Sequence, residues 1–182
     1  MVYIYHHINS GEEEIGELQK NKLESVFNFK FTYIKNVIPL TKNEWDTFLL
    51  MYNSKELLKS DDIILFIKSN LDKNWKEILE TEIIYNFNFY QEKIKGEFNT
   101  AGCSFSLPEY DKNFYGGIWL IRGDYLKSIE LEKFEQKEDI TESNFIQSGK
   151  NWNPFHNIMV NYTKYPFLLS HNLKQFSKKE II

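Results

Sequence analysis

The sequence predicts an α/β layered protein with a mainly parallel sheet and helices on both faces. Two observations carry this. Short β-rich apolar runs alternate with stretches of helical periodicity through most of the 182 residues, as crossover-connected strands require. One run, Ile63 to Ile67, is apolar at every position, the pattern of a strand covered on both faces. No internal repeat, linker or low-complexity block interrupts the chain. Residues 1–182 therefore read as one domain, with an irregular segment from about residue 151.

The elements follow in order. VYIYHHI, 2–8, opens the domain as a buried strand, and Asn9, Ser10 and Gly11 turn the chain. Glu12 to Glu14 suit a helix N-terminus, where carboxylates meet the positive end of the dipole. Ile15, Leu18, Lys22, Leu23 and Val26 continue that helix at helical spacing. FKFTYIKNVI, 29–38, alternates as a second strand. Pro39 and Thr41 announce a helix with Trp45, Phe48, Leu49 and Tyr52 on its apolar face, running to Leu58. After the 63–67 strand, Asp72 to about Lys95 reads as one long helix ended by Gly96, and 98–106 as another strand. NFYGGIWLIRGDYLKSI, 113–129, reads as strand, cap and helix. Its glycine pair implies close approach of something to the backbone. Asp139 to Gln147 reads as a short helix stopped by Gly149.

Composition narrows the function classes. The net charge is −4 and no block of like charge forms a nucleic-acid arm. The single cysteine, Cys103, excludes an intrachain disulfide and a cysteine zinc cluster, and lies in a small-residue apolar stretch that suits core packing. With no basic region leading into a long apolar run, the sequence predicts a cytoplasmic protein without a signal peptide. Dinucleotide, P-loop, zinc-peptidase and hydrolase-elbow motifs are all missing.

In a parallel sheet ligands bind beyond the carboxyl ends of strands, which selects the candidates. His6 and His7 close the first strand and must face opposite ways, so one can meet a ligand while the other packs under a helix; both also suit structural roles. Lys68 follows a buried strand and suits either phosphate neutralisation or a snorkelling position on the rim. Glu142, at a helix start, suits a base toward a hydroxyl or a partner of the helix dipole; Asp139 suits the cap. Glu109 and Asp111 form an acid-x-acid pair in a loop. His156, in NPFHN, is a late ligand candidate or a surface histidine.

The order of segments resembles GT-A-type glycosyltransferases, especially those of bacterial surface-polysaccharide clusters. The stretches that carry it are YIYHHI at 3–8, ILFIKSN at 64–70, YGGIWLIRGDYLKSI at 115–129, TESNFI at 141–146 and NPFHNIMVNY at 153–162. The resemblance implies a nucleotide-diphospho-sugar transferase-like fold and transfer of a sugar from a nucleotide donor to a hydroxyl acceptor. That acceptor is a glycan or glycolipid, the latter implying peripheral membrane association. His6, His7, Lys68 and Asn70 would bind the donor. Tyr115, Gly116, Gly117, Trp119 and His156 would line the acceptor side, with Glu142 as base. Many such enzymes keep an Asp-x-Asp metal motif where this chain has Lys68, Ser69 and Asn70. The resemblance thus leaves Mg²⁺ or Mn²⁺ use open, with Lys68 as the alternative source of positive charge. A non-catalytic binding or interaction protein on the same fold, including an immunity or regulatory protein, is the second expectation.

Overall fold

The apolar run at 63–67 divides the core. Ile63, Leu65 and Ile67 join one buried cluster and Ile64 and Phe66 another, because successive strand side chains point to opposite faces. Ile118 and Leu120 repeat the split against Trp119 and Ile121. The computed structural model describes residues 1–39, 44–69, 73–104, 117–131 and 142–158. Their elements are β1 (Val2–Asn9), α1 (Glu13–Val26), β2 (Phe31–Ile38), α2 (Trp45–Asn53), β3 (Ile63–Lys68), α3 (Lys73–Leu79), a π-helical turn (Glu80–Ile84), α4 (Phe87–Lys95), β4 (Thr100–Ser104), β5 (Ile118–Arg122), α5 (Gly123–Ser128), α6 (Glu142–Gln147) and β6 (Pro154–Ile158).

The strands form one mixed, mostly parallel sheet in the order β2-β1-β3-β5-β4-β6. β1 pairs parallel with β2 and β3, and β4 pairs parallel with β6. β5 runs antiparallel to both of its neighbours. The first cluster places residues of α1, α3, the π-turn and α4 against one face. The second places residues of α2, α5 and α6 against the other. On that second face, Phe66 stacks on Trp119 at 4.9 Å and Phe48 on Phe145 at 4.7 Å between ring centroids. Such offset aromatic pairs add about 1 kcal/mol beyond the area they bury.

Three elements differ from expectation. The helix expected to run to Leu58 ends at Asn53 and gives way to a 3₁₀ turn over Lys55–Leu57. The helix expected over 72–95 is interrupted: Tyr85 N–H bonds Glu80 O, five residues back, and the Asn86 side chain donates to Glu82 O. Apolar periodicity continues across the break through Ile83, Ile84, Phe87 and Tyr90, all buried, so periodicity alone does not reveal it. The segment from 151, expected to be irregular, contributes β6. Pro154 is its first residue, a position where the missing N–H costs a ladder little. Asn99 docks it, donating from Nδ2 to Asn151 O at 2.8 Å and accepting from Asn153 N–H at 2.9 Å. Cys103 fulfils its expected core role: it is buried against the Tyr90 hydroxyl, and burial pushes its thiol up to about 12.

Gly123, where β5 passes into α5, sits against the chain before β3. Its N–H donates to Asp62 O at 2.8 Å, and a Cβ there would lie 2.2 Å from Lys59 O. That contact is with backbone and has no flexible end to yield. Gly123→Ala should cost about 2 kcal/mol, seen as a fall of several degrees in the thermal midpoint.

Candidate functional site

The sheet order places a topological switch point between β1 and β3. After β1 the chain goes to β2 on one side, then returns to β3 on the other. Crossovers leaving in opposite directions open a crevice beyond the carboxyl ends of these two strands. His7 and Asn9 close β1, while Lys68 and Ser69 close β3. Because β5 is reversed, its start, not its end, lies here. Lys68 N–H donates to Gly117 O at 2.8 Å.

Gly117 is the hinge of the site. Its φ is +71°, a left-handed conformation that side chains disfavour, which accounts for a glycine directly before a buried strand. Its N–H points at Glu142, 3.1 Å from Oε1 and 3.3 Å from Oε2. The first residue of α6 thus reaches the first turn of β5. The indole N–H of buried Trp119 also faces this carboxylate and helps hold its charge, without closing a hydrogen bond of standard geometry. The Lys68 ammonium, on the same sheet face, forms an ion pair with Glu44 at the start of α2.

The two carboxylates diverge in acidity. Loss of hydration, then repulsion from Glu44, pushes the Glu142 carboxyl up to about 7, against the opposing pull of Lys68, Gly117 N–H and Trp119. Burial works against the Glu44 carboxylate more than any single partner helps it, but the bond to Lys68, its own backbone N–H and the Lys68 charge together hold it below the usual glutamate range. One acid is therefore a fixed anion and its neighbour a proton carrier near neutrality.

A second polar group closes the floor of the crevice. Asn36 donates to Thr47 Oγ1 at 2.9 Å, and the Thr47 hydroxyl meets His7 Nδ1 at 2.9 Å. His7 Nε2 lies 3.2 Å from Asn9 Oδ1. Asn9 N–H donates to Ser69 Oγ at 3.2 Å, and the Ser69 hydroxyl donates to Glu12 at 2.7 Å. Burial lowers His7 below the ordinary imidazole range, so the ring is neutral and serves as a strut between α2 and the turn after β1.

His6 takes the packing position that the sequence left open for one of the pair. It lies on the opposite face, under α1, fully buried. Its Nδ1 is 2.6 Å from the Tyr33 hydroxyl and its Nε2 2.9 Å from Gln19 Oε1. Gln19 in turn donates to Glu80 at 3.0 Å, and Glu80 pairs with Lys22. A cavity of about 400 Å³ lined by Gln19, Lys22, Lys76 and Glu80 opens on this network, on the sheet face opposite Glu142, and Gln19 also donates to Lys68 O at the end of β3. Both ring nitrogens of His6 are engaged by protein, and His7 is equally buried, 1% exposed. Both histidines therefore support the crevice from below, and neither presents a free ring nitrogen to a donor.

The structure thus brings together Lys68, Gly117, Trp119 and Glu142, with His7 beneath. It adds Glu44, Thr47, Asn9, Ser69 and Glu12. Glu44 precedes an apolar helix as an ordinary acid, and no motif distinguished it. Arg122 and Asp124 pair with each other at 2.6 Å at the far end of β5, where Arg122 also caps Ile94 O and Phe98 O. That end of the stretch is structural. The His156 backbone lies in β6, in register with Gly102, which is itself in register with Trp119. Two strand spacings thus separate it from Trp119. Asn70, Glu109, Asp111, Tyr115, Gly116 and Asp139, and the His156 side chain, lie outside the described residues. Among the described residues no group of three or more His, Cys, Asp or Glu is placed to hold a metal ion, and no helix is long and apolar enough to cross a membrane. No family model and no curated protein sequence matches the chain.

Burial lowers His6 from 6.5 to about 4. A neutral histidine that must stay neutral in the fold lets the unfolded chain bind the extra proton first. Stability is then complete above pH 6.5 and falls as pH drops toward 4, by about 3 kcal/mol from this group. His7 acts in the same direction, and Glu142, raised rather than lowered, in the opposite one. Because the Glu142 shift nearly offsets the His6 shift, denaturant unfolding of wild type should change little between pH 7 and 4; Glu142→Gln should expose the acid loss, and His6→Gln should make stability rise as pH falls.

Proposed function

We propose that this protein is a small GT-A-like glycosyltransferase that moves a sugar from a nucleotide-sugar donor to a hydroxyl of a glycan or glycolipid acceptor. One observation carries the reading. Glu142 is held by Gly117 N–H beside a switch-point crevice, where loss of hydration pushes its carboxyl up to about 7. A general base works best with a pKa near the working pH, and transfer to a hydroxyl needs such a base. The mixed sheet with helices on both faces supports a nucleotide-diphospho-sugar transferase-like fold. The donor occupies the crevice beyond β1 and β3, with Asn9 and Ser69 at its floor. The acceptor approaches over Gly117 and Trp119, where Glu142 takes the hydroxyl proton.

A second reading, a non-catalytic binding protein on the same fold, has an observation of its own. Lys68 is engaged by Glu44, its charge also acts on Glu142, and Glu12 accepts from Ser69, the next residue along. The described crevice therefore carries more negative than positive charge, which disfavours a diphosphate unless the ligand brings a cation. Mg²⁺ or Mn²⁺ arriving with the donor would supply it.

Calorimetric titration with UDP-, GDP-, CDP- and TDP-sugars, each with and without Mn²⁺, separates the readings. Saturable binding of one donor is expected. Glu142→Gln should keep that binding while lowering transfer roughly 10²- to 10⁴-fold. Donor binding with no transfer, together with a Glu142→Gln variant that retains cellular function, selects the non-catalytic reading. Failure of every donor to bind, alone or with lipid-linked acceptors, overturns both the donor site and the transferase.

A further inference from the structure

We propose that Glu44 is a positioning residue for Glu142, and that its ion pair with Lys68 is a built-in charge device tuning Glu142 as a proton acceptor. The inference rests on the reading of Glu142 as the base.

The geometry is a short chain of contacts. Lys68 N–H donates to Gly117 O, Gly117 N–H donates to Glu142, and the Lys68 ammonium leaves that line to pair with Glu44. The Phe48–Phe145 stack sets α2 against α6, so this ammonium lies within electrostatic reach of both carboxylates and, among the described residues, bonds only Glu44. β3 fixes this choice. Strand alternation sends Lys68 to the same face as Phe66, beneath α2, and Glu44 is the residue that begins α2. Thr47, one turn later on α2, is locked to His7 and Asn36, so the helix start cannot drift without breaking buried hydrogen bonds.

The charges facing Glu142 are few among the described residues. Glu44 faces it from α2 and Lys68 from β3, while Gly117 N–H and the Trp119 indole face it from β5. His7, from β1, sits beside Glu44 and Lys68 and is neutral. Of these only Glu44 opposes ionisation of Glu142. Had Lys68 been bonded to Glu142 instead, Glu142 would be an ordinary permanent carboxylate, too weak a base to draw a hydroxyl proton. Burial is the larger influence on Glu142; Glu44, by repelling it and holding the ammonium, adds to that influence while itself remaining charged.

The test follows the Glu142 carboxyl directly, by ¹³C-detected NMR titration of the full chain with Glu142→Gln as the assignment control. In wild type the midpoint is expected near neutrality. Glu44→Gln removes the repulsion and frees Lys68, so the proton affinity of Glu142 should fall about tenfold, and Glu44→Ala should do the same. Glu44→Asp, which keeps the charge, should retain most of the wild-type midpoint. A Glu142 midpoint that stays in place in both Glu44→Gln and Glu44→Ala overturns the inference, whatever happens to transfer. If the midpoint moves as expected but no nucleotide-sugar binds, the tuning stands and the transferase reading falls. If transfer occurs and its pH profile is unchanged in Glu44→Gln, the transferase stands and the role of Glu44 falls.

Discussion

The peptide of Gly117 is the constraint on which the site depends. Its carbonyl accepts from the Lys68 backbone and its N–H donates to Glu142, so one residue stitches β3, β5 and α6 together. This works because β5 is reversed. In an all-parallel sheet the start of β5 would lie at the opposite end from the tip of β3, and Glu142 would have no backbone donor there. The left-handed φ at Gly117 turns the N–H out of the ladder and toward α6. A side chain at this position would oppose that conformation.

Around this stitch the protein places polar groups at two depths. Above the sheet edge, Glu142, Glu44 and Lys68 are part-exposed and act on one another through their charges. Beneath them lie networks with their hydrogen-bonding capacity used: His7 with Thr47 and Asn9 on one face, His6 with Tyr33, Gln19 and Glu80 on the other. Buried polar groups of this kind cost free energy when a partner is lost. They fix where α1 and α2 sit on the sheet, and through α2 they fix Glu44. The neutral histidines contribute orientation and make the fold sensitive to acid.

The π-turn at Glu80–Ile84 belongs to the same arrangement. It opens the long helical segment just where Glu80 drops to the buried end of the His6 network, between Lys22 and Gln19. A regular α-helix through 73–95 would keep its backbone ladder intact. The residues on either side of the interruption, Ile78, Leu79, Phe87, Tyr90 and Ile94, all stay in the core.

Much of the architecture was legible because hydrophobic period reflects local geometry. The alternating and continuous apolar runs located β1, β2, β3 and β5, and the 3.6-residue spacing located α1, α2 and α4. The position of Glu142 at a helix start and of Lys68 at a strand end was equally readable, since both follow from counting along the chain. What the sequence could not carry was anything set by partners distant along it. β6 has too few apolar residues to announce itself and exists because Asn99 and β4 receive it. The reversal of β5, the separation of His6 from the crevice, and the capture of Lys68 by Glu44 all depend on which strands and helices meet. Residue pattern determines which segments form and which face they bury. Only tertiary packing decides which charges become neighbours, and in a low-dielectric crevice that neighbourhood separates an inert carboxylate from one poised to move a proton.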